Sequence, residues 1–127
     1  MNTLRTPLKK VKGLGSAKEG TNHFWTQRLT AMALIPLVLW LCFSIAALPG
    51  TDHATLQAWV GSSFNAVLLV LMIFAAFYHA KLGLQVILED YLANHGTRTA
   101  AIILSTFLCI LLACVGIFSV LKIAFTT

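Results

Sequence analysis

The residues able to do chemistry gather in one stretch, YHAKLGLQVILEDY, residues 78–91, which begins inside an oily run. It holds an imidazole at His79, an amine at Lys81, carboxylates at Glu89 and Asp90, and a phenol at Tyr91. A histidine in an apolar helix either hydrogen-bonds a neighbouring helix or binds a ligand, because an unpaired polar group is costly in hydrocarbon. At about 100° per residue, Met72, Ala75, Ala76, Leu82, Gly83, Val86 and Asp90 share the His79 side of the helix. Val70, Phe74, Phe77, Leu84 and Leu88 fall opposite, a bulky face suited to lipid. The residues one turn either side of the imidazole are Ala75 and Gly83, small enough to admit a flat group or a close helix. Simple hydrogen bonding needs no such clearance. A haem standing edge-on, its iron bound by imidazole, does need it, and the other ring nitrogen then requires a partner that fixes the tautomer.

One histidine cannot fill both axial positions of a six-coordinate haem. His23 and His95 belong to one edge of the membrane and His53 to the other, so a bis-histidine haem would take its second ligand from another chain. Asp90 follows His79 by eleven residues, which places it on the same face about 16 Å along the axis. The ordinary reading of Glu89-Asp90-Tyr91 is a helix ending at the headgroups. The functional reading is a phenol bonded to a ligand carbonyl, with a carboxylate holding the phenol or relaying protons. Lys81 points away from His79; snorkelling toward the nearer headgroups is the usual account, and a carboxylate on a partner chain is the alternative. Arg28 reads either as a positive anchor or as a partner for a haem propionate.

These residues need a membrane-spanning frame. The chain has 127 residues, 58% of them hydrophobic and only 10% charged, too few charges to clothe a soluble domain of this size. Three segments, about 24–48, 62–89 and 98–125, are long and apolar enough to cross a bilayer, and in hydrocarbon they must be helices. Pro49-Gly50-Thr51-Asp52 and Asn94-His95-Gly96-Thr97 are the turn signals between them. Cations crowd the tail at 1–23, with Arg28 and Arg98 on the same side, while Lys122 stands nearly alone opposite. The positive-inside rule then predicts a cytoplasmic N-terminus, an external loop at 49–61, a cytoplasmic loop at 90–97 and an external C-terminus. Trp25 and Trp59 fall near the two interfaces. A basic tail beside such spans is a headgroup-facing end, not a nucleic-acid arm. The late, long first apolar run is not a cleavable signal, and the Lys-rich tail argues against a mitochondrial transit peptide.

The expected architecture is all-α, a single three-helix domain over 1–127 that bundles with a partner anchor. Ser105, Cys109, Ala113 and Gly116 form a small-residue packing seam on the third helix, and Pro36 is expected to kink the first. Cys42, Cys109 and Cys114 lack metal-site spacing and read as buried small hydrophobes. With no glycine-rich dinucleotide pattern and no cluster cysteines, the chain holds no complete catalytic site of its own.

The basic GSAKEGTNHFWTQRLTA segment, the pattern H-x3-G-x6-D-Y and the three spans together resemble the smaller hydrophobic membrane anchor of succinate dehydrogenase, respiratory complex II, in its alphaproteobacterial type. The resemblance covers nearly the whole chain. It implies a b-type haem shared with a second, cytochrome b556-type anchor, with His79 as one axial ligand to the iron. It also implies a ubiquinone site at the cytoplasmic side, between both anchors and the iron–sulfur protein of the complex. There Tyr91 matches the quinone-bonding tyrosine, Asp90 its acidic neighbour, and Arg28 an arginine near the haem and quinone. Succinate would be oxidised on the flavoprotein, in a complex of the bacterial inner membrane. The resemblance assigns Lys81 no role. Two other classes compete with it: a small homodimeric haem electron carrier, and a small multi-helix transporter, which would usually carry an acid in a helix centre.

Overall fold

The computed structural model describes residues 6–11 and 18–126; Arg5, Lys12 and the start of the GSAKEG segment lie outside them. Among the described residues five helices follow in order: α1 (Pro7–Val11), α2 (Lys18–Ala46), α3 (His53–Gly61), α4 (Ser63–Tyr91) and α5 (His95–Thr126). No strand occurs among the described residues. The helices α2, α4 and α5 are each long and apolar enough to span a membrane.

Each spanning helix runs past its oily stretch. α2 begins at Lys18, not near 24, and α4 continues through Glu89, Asp90 and Tyr91. A 29-residue helix measures about 44 Å, longer than the roughly 30 Å hydrocarbon layer, so polar turns extend into the headgroups. The connection expected at 90–97 therefore shrinks to residues 92–94. Asn94 makes that short link possible, its side-chain oxygen accepting from the Gly96 and Thr97 N–H groups at 2.9 and 3.3 Å.

The segment expected as an external loop, 49–61, is largely helix. Asp52 caps α3, accepting from the Thr55 N–H at 3.1 Å and the Thr55 hydroxyl at 2.7 Å. Asn65 donates to the Trp59 carbonyl at 2.8 Å near the helix's other end, and Trp59 stacks on Trp40 of α2 at 5.6 Å.

α4 is the centre of the fold. It packs most extensively on α5 and next on α2, and among the described residues the α2 and α5 backbones do not meet. The seam expected on α5 is present: Cys109 is buried, and a side chain on Gly116 would begin 3.4 Å from Ile73 of α4. Cys42 and Cys114, expected to be buried, are exposed on the chain's outer faces. Among the described residues only Leu37, Ala66, Ala75, Leu82, Cys109 and Val120 form a core, while large apolar side chains such as Phe43, Phe64 and Phe118 face outward. Such an inside-out distribution suits a lipid or protein surround.

Candidate functional site

The two helices that position His79 are α4, which carries it, and α2, which meets it with Thr30. The Thr30 hydroxyl oxygen lies 3.0 Å from Nδ1 of His79, 2.9 Å from the Thr26 carbonyl and 3.0 Å from the Gln27 carbonyl. A hydroxyl has one hydrogen, and carbonyls only accept. Aimed at its own helix, that hydrogen satisfies the carbonyls and leaves the oxygen to accept Nδ1–H from His79. The reverse assignment would press the hydroxyl oxygen against two carbonyl oxygens with no hydrogen between them. In the neutral ring the network thus places the hydrogen on Nδ1, which leaves Nε2 with its lone pair, the state a metal ligand requires.

His79 is half-buried and lines a cleft of about 390 Å3 with Phe24, Gln27, Arg28 and Ala31 of α2. Arg28 lies with its guanidinium 5.0 Å from the Phe24 ring centre, held by a cation–π contact at the cleft edge. The two small flanks of His79 differ in use. Ala75 is buried inside the chain. At Gly83 an added Cβ would meet nothing within 4 Å. The imidazole's open side is therefore toward Gly83, away from the middle of the helix. Among the described residues no three His, Cys, Asp or Glu side chains gather as a metal site. A metal at His79 would depend on other donors.

Two turns nearer the start of α2 than Thr30, Nε2 of His23 is shielded from solvent and has no hydrogen-bond partner among the described residues. Asp90 and Tyr91 close α4 about 18 Å along the axis from His79 and stand exposed. Tyr91 is 83% exposed, and neither side chain forms a hydrogen bond among the described residues. Glu89 is engaged locally, accepting from Gln85 at 3.0 Å. The fold thus joins His79 with Arg28 and adds Thr30, and it keeps Asp90 and Tyr91 as a separate, exposed pair. Thr30 lies within the quoted basic segment, yet only the meeting of residues 49 positions apart reveals its part.

Lys81 does not snorkel to the nearer helix end. Its ammonium lies 5.7 Å from the ring centre of Tyr78, one turn back toward the middle of the helix, and Tyr78 in turn stacks on Phe74 at 5.9 Å. Together with Phe77, Cys109, Ala113 and Cys114 it lines a groove of about 200 Å3 between α4 and α5. The face expected to meet lipid is therefore shared: Phe74 and Leu84 are exposed, while Phe77, together with Phe74, also lines this groove. A lysine at the centre of a spanning helix costs about 2.5–3.5 kcal/mol to insert. A cation–π contact returns about 0.5–2 kcal/mol, so Tyr78 offsets part of the cost.

Over residues 2–116 the chain matches the family model described as succinate dehydrogenase/fumarate reductase transmembrane subunit. It is similar to three curated succinate dehydrogenase hydrophobic membrane anchor subunits. That of Rickettsia conorii is 33% identical over 107 residues, covering 84% of this chain and 85% of the relative. That of Rickettsia bellii is 34% identical over 99 residues, covering 78% and 79%. That of Paracoccus denitrificans is 37% identical over 100 residues, covering 79% and 77%.

Proposed function

This chain belongs to the succinate dehydrogenase/fumarate reductase transmembrane-subunit family, as a membrane anchor of that enzyme complex, and on this premise we propose that His79 gives one axial ligand to a b-type haem. The observation that carries the reading is the Thr30 contact, which favours the neutral tautomer with its hydrogen on Nδ1 and its lone pair on Nε2. The residues present fit the group: the cleft beside His79 is edged by Arg28, a donor suited to a propionate, and the Gly83 side is clear of side chains. His79 is alone at its depth among the described histidines, so the second ligand comes from the partner anchor of cytochrome b556 type. A haem held there would supply one-electron transfer. Of this chain's residues, His79 would hold its iron and Arg28 would pair with a propionate.

The exposed Asp90–Tyr91 pair forms this chain's share of a ubiquinone site on the cytoplasmic side, completed by the partner anchor and the iron–sulfur protein. Tyr91 donates a hydrogen bond to a quinone carbonyl, and Asp90 holds the phenol or supplies the proton path. Succinate itself is oxidised on the flavoprotein. All four acids of the chain lie outside the middle of the spans, which removes the coupling group that the transporter alternative needs.

The test is optical. In the complex purified through this chain, His79→Ala should abolish or strongly weaken the b-type haem absorbance. An unchanged reduced-minus-oxidised spectrum would overturn the ligand assignment.

A further inference from the structure

We propose that the α4–α5 groove headed by Lys81 is the seat of a transmembrane helix from a different chain, which brings an Asp or Glu carboxylate to the Lys81 ammonium inside the hydrocarbon. This surface faces away from His79, and the proposal stands independently of haem or quinone binding.

Three observations carry it. Lys81 is half-buried and turned back over Tyr78, deeper into the helix, with its stem in a groove otherwise made of apolar side chains and cysteines. It lies ten residues from the end of α4 at Tyr91, about 15 Å along the axis, and its ammonium points away from that end. A headgroup phosphate at the membrane surface is therefore the wrong counter-ion. The chain also has no acid of its own to offer. Its four carboxylates are Glu19, in the first turn of α2, Asp52, at the start of α3, and Glu89 and Asp90, in the last turn of α4. Glu89 is the nearest along α4, about 12 Å away and bonded to Gln85.

The same placement excludes a second copy of this chain as the occupant, since its acids also stand at helix ends. A cation half-buried at this depth, eased among the described residues only by an aromatic ring, calls for an anion at equal depth. A spanning helix with one membrane-buried carboxylate meets that need and fills the groove with its apolar neighbours. Cys109 and Ala113 on the α5 wall are small enough to let such a helix come close.

The complex in its native membrane should be treated with a membrane-permeable carbodiimide, which activates a carboxyl so that a neighbouring amine displaces a urea and forms an amide. Digestion and mass spectrometry should find the Lys81 peptide joined to an acidic residue in an apolar peptide of another chain. Lys81 recovered only unlinked, or linked to Glu89 or Asp90, would overturn the proposal. Lys81→Met inserts more readily than the wild type, so misfolding does not explain its result. It should keep its haem spectrum while its association with the partner weakens about tenfold in detergent titration, and Lys81→Arg should retain association. Lys81→Met that binds every protein partner as tightly as before, or that loses only a co-purifying anionic phospholipid in native mass spectrometry, would overturn it as well.

Discussion

Thr30 gives the imidazole of His79 a fixed partner at Nδ1, which suits the ligand role proposed for it. Without a partner at Nδ1 an imidazole distributes its proton between both nitrogens, and half-committed tautomers bind metal poorly. Removing an outer partner of this kind typically costs about 10–100-fold in metal affinity. Thr30→Val keeps the shape of the side chain and removes the oxygen. It should lower haem affinity by about that factor and shift the haem midpoint potential, while Thr30→Ser should restore both. Nitrogen NMR of His79 in haem-free protein supplies an independent reading: the wild type should show the Nδ1–H form, and Thr30→Val a mixture. A single tautomer in both proteins would contradict the role given to Thr30.

At the scale of elements, α3 offers a titratable feature outside the spans. The Thr55 hydroxyl, then the Thr55 N–H, hold the Asp52 carboxyl below the ordinary carboxylate range. A group with a depressed folded pKa contributes its stability in full above its unfolded value and loses it as pH falls through the folded one. Acidification through and below the carboxylate range should therefore fray the start of α3, seen as faster amide exchange at Thr55 and Leu56. In Asp52→Ala the same amides should exchange fast already at neutral pH and respond little to acid. The three spans were legible in the sequence because hydropathy over about 20 residues is a strong signal, whereas the turn expected at 94–97 is mostly the first turn of α5. Helix ends were less so: Lys18 to His23 and Glu89 to Tyr91 are polar, yet the helix continues through them because headgroups tolerate both polarity and helix. α3 was hidden by its length, although Asp52 followed three residues later by Thr55 was its capping signal. The small-residue side of His79 could be read from helical geometry. Its division into a packed Ala75 and an open Gly83 depends on which helix lies beside each, and no local pattern states that.

As a whole the molecule is a multi-pass protein of the bacterial inner membrane with very little inside of its own. Its function is accordingly distributed among several chains, and one substitution should separate the parts. Tyr91→Phe, at the exposed end of α4, should slow quinone reduction by up to about tenfold, the worth of one hydrogen bond. Succinate oxidation measured with an artificial dye should be unaffected, and equal loss of both activities would contradict the role of Tyr91. The order of packing carries its own consequence. Only residues 92–94 join α4 to α5, so these two helices can close as a hairpin by themselves, whereas among the described residues the α2 backbone approaches that hairpin only along α4. The oxygen that sets the His79 proton arrives with α2. A hairpin still lacking its first helix presents an imidazole without its Thr30 partner, and under the proposed haem reading the ligand state of His79 would be set only once α2 has docked. On that reading a haem would be taken up preferentially by chains whose first helix is already in place, so cofactor binding would itself report complete assembly.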